Sequence, residues 1–177
     1  MPRVEVVCVG NELLLDRVNT DLPLISRIIG EIGLSVARSI TVPDHLGEVA
    51  DVVRETLERA EIIIVTGGLG PTFDDVTREE VARALGRSLC FSEEVWQSIV
   101  ERFSRRGIIP SANNRRQAEV IEGGVILANH IGTAPGQLIE SRGKVVVLLP
   151  GPPGELEPMM RDSVLPELSR RFGRPPV

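Results

Sequence analysis

The 177-residue sequence has two cysteines and two histidines, and its 20 basic residues include a single lysine, Lys144. Cys8 and Cys90 are far apart and Cys8 falls within an apolar strand, so both read as reduced core residues rather than a bridge. With only His45 and His130 beside them, no Cys/His constellation for zinc is available. The net charge of −5 excludes the electrostatic footprint of a nucleic-acid binder. No apolar run is long enough to span a bilayer, and Met1-Pro2-Arg3 leads into a strand rather than a signal peptide. A soluble, cytoplasmic chain with no membrane partner is therefore expected.

An apolar fraction of 42% with 25% charged residues is that of an ordinary globular protein. The length suits one well-cored α/β domain, expected over residues 1–170, with 171–177 a tail or linker stump. The chain is organised around Ile62 to Thr77. The β-branched run Ile62 to Val65 reads as a strand buried on both faces, as in a parallel sheet. Gly67, Gly68 and Gly70 then permit a sharp turn and close approach of a ligand. Asp74 and Asp75 follow, and Thr77 with Glu80 has the spacing of a capping box opening a helix. Strand, glycine turn, paired carboxylates and helix N-terminus together suit a phosphate or nucleotide pocket.

Before it, Val4 to Val9 is a strand ended by Gly10, and Asn11 to Asn19 is a loop carrying Glu12. Asn19 or Thr20 can cap a helix with Leu22, Ile25, Ile28, Ile29 and Ile32 at helical spacing, closed by Gly33. Leu34 to Val42 alternates as a second strand, and Asp44 can cap a second helix whose stripe is Leu46, Val49, Val53 and Leu57. After Gly86, Ser92 starts a helix ended by Gly107, and 110–118 is a turn with one short helix. Gly124 to Leu127 is a short strand and 129–136 a loop. Gln137 to Ser141 and Val145 to Leu149 form a hairpin about Arg142-Gly143-Lys144. Pro150-Gly151-Pro152-Pro153-Gly154 then repeats the strand–turn–helix logic, and Pro166 is expected to end or kink the last helix. Strands alternating with helices predict a mainly parallel sheet with the turns near Gly10, Asp44 and Gly67 on one carboxyl edge.

Asp74 and Asp75 can hold a divalent metal bridged to phosphate, since Mg²⁺ usually takes one or two protein carboxylates, or one of them can simply cap the helix. Asp44 and Glu12 are an ordinary cap and a polar loop residue unless their turns face the same crevice. Asn129 and Thr133 can bind ligand oxygens or stabilise their own turn. His45 and His130 read as surface or supporting residues. Arg115 and Arg116 can clamp a phosphate or be an exposed pair. There is no Gly-Lys-Ser/Thr of a P-loop, and Gly68-Leu69-Gly70 lacks the last glycine of a dinucleotide fingerprint. Arg78-Glu79-Glu80-Val81 lacks the upstream glutamate of a Nudix box, whose place is taken by Gly70.

The segment Thr66-Gly67-Gly68-Leu69-Gly70-Pro71-Thr72-Phe73-Asp74-Asp75-Val76-Thr77 resembles the signature of the molybdopterin-binding (MoaB/Mog-like) domain, and most closely its version in the competence/damage-inducible protein A (CinA) family. Gly10 to Leu15, Asn113 to Ala118, Gly132 to Gly136 and Leu149 to Pro153 agree with that family in the same order. The chain departs from the pattern where Asp16 stands for a glycine and Asp21 for an asparagine. The resemblance implies a three-layer α/β/α domain binding a pterin or nucleotide, and dimers or trimers as the oligomer. It implies aspartate roles for Asp44 and Asp75, and a pocket of Gly10, Glu12, Asn19, Thr66, Gly67, Gly68, Gly70, Thr72, Thr77, Asn129, Gly132, Thr133, Pro150 and Gly151. The activity it suggests is pyrophosphate hydrolysis in ADP-ribose or a related nucleotide, with Asp75 and Asp74, helped by Asp44, holding Mg²⁺, Mn²⁺ or Co²⁺. Molybdopterin adenylylation and non-catalytic binding of a pterin or nucleotide are the alternatives.

Overall fold

Four strands rich in valine and isoleucine run parallel at the centre of the molecule: β1 (Val4–Val9), β2 (Val36–Val42), β3 (Ile62–Thr66) and β8 (Lys144–Leu149). Two antiparallel strands, β7 (Gly136–Ser141) and β6 (Val125–Leu127), extend the sheet, giving the order β2-β1-β3-β8-β7-β6. This computed structural model describes residues 1–173.

The pleat separates two cores. Val4, Val6, Cys8, Ile62, Ile64, Val145 and Val147 pack under α2 (Asp21–Gly30) and the C-terminal helices. Val7, Val9, Ile63, Val65, Val146 and Leu148 pack under α3 (Glu48–Arg59) and α4 (Thr77–Leu85). Because both faces are covered, the runs Ile62–Val65 of β3 and Val145–Leu149 of β8 are apolar on both, while β1 carries one buried charge, Glu5, near its amino end. The α2 stripe behaves as its spacing predicts: Ile25, Ile28 and Ile29 are fully buried, each burial worth roughly 1.5–3 kcal/mol. This is the expected three-layer α/β/α arrangement with a mainly parallel sheet.

The middle of the chain forms an arm that the sequence shows only in part. Beyond α4, β4 (Leu89–Phe91) pairs antiparallel with β5 (Glu119–Ile121), enclosing α5 (Glu93–Ser104) and a 3₁₀ turn at Ala112–Ala118. Val95, Ile99, Ala118 and Val120 make its own small core. Gln137, buried in β7, ties the arm to the main sheet: its Oε1 accepts from Ile121 N at 2.8 Å, and its Nε2 donates to Ile121 O at 3.2 Å.

Several expectations are corrected. Asn11 to Asn19 is not all loop, since α1 (Glu12–Leu15) makes one turn within it. Asp44 does not cap α3, which starts at Glu48 after Gly47. Glu80 takes that role, its Oε2 accepting from Gly47 N at 2.6 Å and Ala50 N at 3.4 Å. Glu80 thereby leaves the capping box expected with Thr77, which is the first residue of α4. Leu46, expected on the α3 stripe, lies before the helix and is 75% exposed. Pro166 does not end the last helix: α6 (Pro153–Met159) passes through a π turn at Met160–Val164 into α7 (Leu165–Phe172), and that wider turn accommodates the proline ring. Cys90 lies exposed on β4, unlike the buried Cys8. Arg171 and Phe172 continue α7, with Phe172 packed against the core, and the remainder of the expected tail, 174–177, lies outside the described residues.

Candidate functional site

Parallel strands deliver their following loops to one edge, and here those loops surround a cleft of about 850 Å³. Gly10 and Glu12 come from the loop after β1, Asp44 from after β2, and Gly67 to Thr72 with Asp74 and Asp75 from after β3. Pro150 and Gly151 come from after β8, and Gly132 and Thr133 from the loop before β7. Four further expected residues, Asn19, Thr66, Thr77 and Asn129, stand behind this lining. Asn19 caps α2, its Oδ1 accepting from Asp21 N at 3.1 Å and Leu22 N at 3.2 Å. Asn129 shapes the 129–135 loop: its Oδ1 accepts from Gly132 N at 2.7 Å while its Nδ2 donates to Ala134 O at 2.9 Å and Glu155 Oε2 at 2.7 Å. Thr66 and Thr77 are buried with hydroxyls that find no partner among the described residues.

The glycine turn is built for close approach. Gly67 and Gly68 have φ of +87° and +65°, and a Cβ on either would strike Val9 O or Thr77 Oγ1 respectively. A Cβ on Gly70 would stand 2.6 Å from Asp75 Oδ2. Among the described residues the amides of Gly68, Leu69 and Gly70 donate to no backbone acceptor. Successive free amides in a turn of this kind form an anion-binding concavity.

Carboxylates gather beside it. Asp75 Oδ2 accepts from Thr72 N at 2.8 Å and from Thr72 Oγ1 at 2.5 Å, which fixes the turn, while no protein donor engages Oδ1 among the described residues. Asp44 accepts from Asn11 N at 3.0 Å, holding the first two loops together. Its pKa is raised above the ordinary carboxylate value, chiefly by burial, with the charges of Glu12, Asp75 and Asp74 adding to the effect and the Asn11 amide opposing it. Topology thus brings Asp44 and Asp75 to one cleft, as expected. Among the described residues no three Asp, Glu, His or Cys groups stand close enough to cage a metal by themselves. The donor set, hard carboxylate oxygens beside free amides, fits a divalent cation that completes its coordination with phosphate and water.

Other cleft residues carry no legible sequence signal. Arg17, Asp21, Arg102, Arg106 and Glu155 all line it. Arg102 lies in the last turn of α5 and Arg106 in the turn that follows it, and only the packing of the arm turns them toward the cleft. Arg102 donates to Ile131 O at 2.6 Å and Asn129 O at 2.8 Å, tying the arm to the cleft wall. Arg115 and Arg116 do not line the cleft. Arg115 lies 4.2 Å over the Phe91 ring, and Arg116 braces the glycine turn by donating to Thr72 O at 2.9 Å and Glu79 Oε1 at 2.9 Å. His45 and His130 do not line it either.

A three-layer α/β domain with a glycine turn and aspartates on its carboxyl edge defines a small-molecule-binding class. The chain belongs to the family described as "probable molybdopterin binding domain", which matches residues 5–170. Over 172 residues it is 45% identical to the putative competence-damage inducible protein of Bacillus subtilis (strain 168), covering 97% of this chain and 41% of that protein. It is 43% identical over 175 residues to the protein of the same name from Symbiobacterium thermophilum, covering 98% of this chain and 41% of that protein. The chain thus spans about two-fifths of the length of these curated relatives. Among solved structures, CinA of Thermoplasma acidophilum, a protein of unknown function, is similar with a TM-score of 0.83 at 32% identity, covering 91% of this chain and 95% of that one. The molybdopterin biosynthesis enzyme MoaB of Thermus thermophilus shares the fold, with a TM-score of 0.63 at 21% identity and 99% of both chains covered.

Proposed function

We propose that this domain hydrolyses the pyrophosphate bond of ADP-ribose or a related nucleotide, with help from a divalent cation. One observation carries the reading: Asp44, Asp74 and Asp75 share a cleft with a turn whose three consecutive amides are free of backbone acceptors among the described residues, and with Arg17 and Arg106 among the lining side chains. The amides of Gly68 to Gly70 would bind the phosphate that gains charge, and the two arginines would hold the remainder of the pyrophosphate. Asp75 Oδ1 and Asp74 would hold Mg²⁺, Mn²⁺ or Co²⁺, which when bound supplies neutralisation of phosphate charge. Asp44, with its raised pKa, suits the acceptance of a proton from the attacking water. Water oxygen joins one phosphorus, the bridging P–O bond breaks, and AMP and ribose 5-phosphate leave. Incubating purified protein with ADP-ribose and each metal tests this. AMP release is expected, and its absence with every metal overturns the reading.

A second reading is adenylylation of molybdopterin, supported by the placement of Asp44 and Asp75 in one cleft of a molybdopterin-binding family. ATP-dependent transfer of AMP to the pterin, without ADP-ribose hydrolysis, would favour it. A non-catalytic pterin- or nucleotide-binding module would instead keep its affinity in Asp75→Asn and show no turnover in either form.

A further inference from the structure

Asp21 lines the cleft, and no step above uses it. It opens α2 and is only 6% exposed. Its backbone N–H is satisfied by Asn19. Among the described residues no hydrogen-bond donor engages its carboxylate oxygens. Thr66, at the carboxyl end of β3, is 1% exposed and its hydroxyl also lacks a partner there. Burial raises the Asp21 pKa, while the Thr66 hydroxyl and the Arg17 guanidinium, both near it, act in the opposite direction. The Asp21 oxygens are not among the buried polar atoms left without a partner, so they open onto the cleft, where a ligand can supply the donors that the protein does not.

Its place in the cleft narrows what could do so. The charges acting on Asp21 are Arg17 and Glu12, whereas those acting on Asp44 are Glu12, Asp75 and Asp74. Asp21 opens α2 on one face of the sheet while Asp74 and Asp75 precede α4 on the other, so the cleft has two ends, one holding the aspartates of the phosphate chemistry and one holding Asp21. An ionised carboxylate only accepts, through two oxygens a short distance apart, so a pair of adjacent neutral donors complements it. The cis-diol of a ribose is such a pair, and acidic side chains read ribose hydroxyls in dinucleotide sites for the same reason.

We propose that Asp21 is the specificity-determining residue of the cleft, accepting the 2′- and 3′-hydroxyls of a ribose. The substrate class is then ribonucleotides as opposed to their deoxy forms. This rests on the nucleotide reading above and goes beyond it. Calorimetric titration of AMP, 2′-deoxy-AMP and 3′-deoxy-AMP, with Mg²⁺, into the wild type, Asp21→Ala and Asp21→Asn tests it. The wild type should prefer AMP over either deoxy form by about 10-fold or more, the worth of a hydrogen bond to a charged group. In Asp21→Ala the three affinities should converge. Asp21→Asn retains the shape and one acceptor, so it guards against a variant that fails to fold, and its preference should shrink. Wild-type affinities that are equal, or a wild-type preference that survives in Asp21→Asn, would overturn this inference and leave the nucleotide reading standing. Failure of the wild type to bind any of the three would overturn both.

Discussion

One Asp75 oxygen closes the turn on Thr72, and the other meets no protein donor among the described residues, which is where the proposed cation would sit. Asp75→Asn preserves an acceptor for Thr72 but weakens cation binding. It should lower the rate of AMP release on the order of 10²–10³-fold with little change in Tm. Thr72→Ala removes only the hydroxyl donor, and a loss of about 10-fold is expected. Asp44 bears on stability. Its folded-state pKa lies above its unfolded value, so folding favours its protonated form. Stability is therefore lost as pH rises from the ordinary carboxylate value through the raised one. Asp44→Asn keeps an acceptor for Asn11 and removes the charge. It should raise Tm at pH 7 by about 2–4 °C, the effect of about 1 kcal/mol in a chain of this size. The gain should shrink as the medium is acidified toward the ordinary carboxylate pKa. A gain that grows on acidification would contradict the burial argument.

At the scale of elements, the arm depends on Gln137, which satisfies both backbone groups of Ile121 from inside the main sheet. Gln137→Ala should destabilise by about 1–3 kcal/mol, the cost of leaving buried polar groups unmade. Amide exchange should rise first in β4, β5 and α5. Elements differ in how legible they are. The apolar runs of β3 and β8 and the stripe of α2 are plain in the sequence because burial leaves a continuous run in a strand covered on both faces and a fixed period in a helix. β4 and β5 have three residues each, too few for any period to show. The cap of α3 is hidden because a nearby acid, Asp44, is the local candidate, whereas the observed cap is Glu80, 33 residues from Gly47 in sequence. For the cleft, glycines and aspartates on the strand ends can be located from topology alone. Arg102, Arg106 and Asp21 cannot, because an arginine on an exposed helix or in the turn after it, or an acid in a first helical turn, is ordinary until tertiary packing gives it a direction.

For the whole molecule, ligand and fold are linked. A nucleotide at 100 times its Kd should add about 2.7 kcal/mol to stability, a rise of several degrees in Tm. ADP-ribose with Mg²⁺ should exceed either one alone, and a thermal-shift experiment lacking that synergy would speak against joint binding of metal and phosphate. No helix among the described residues is long and apolar enough to cross a membrane. The sheet also gives the molecule two ends of different chemistry. The cleft lies at the carboxyl edge, while at the amino edge Arg3 lies 2.7 Å from the buried Glu5, and Arg59 and Arg38 lie 3.6 and 3.8 Å from it.

Lys144 sits at that amino edge, where β8 begins, its Nζ donating to Leu57 O. It is the only lysine in the chain. The chain therefore offers one side-chain amine to a coupling reagent, half-buried and on the edge away from the cleft. A sensor chip or fluorophore attached there would leave the cleft turned to the solution.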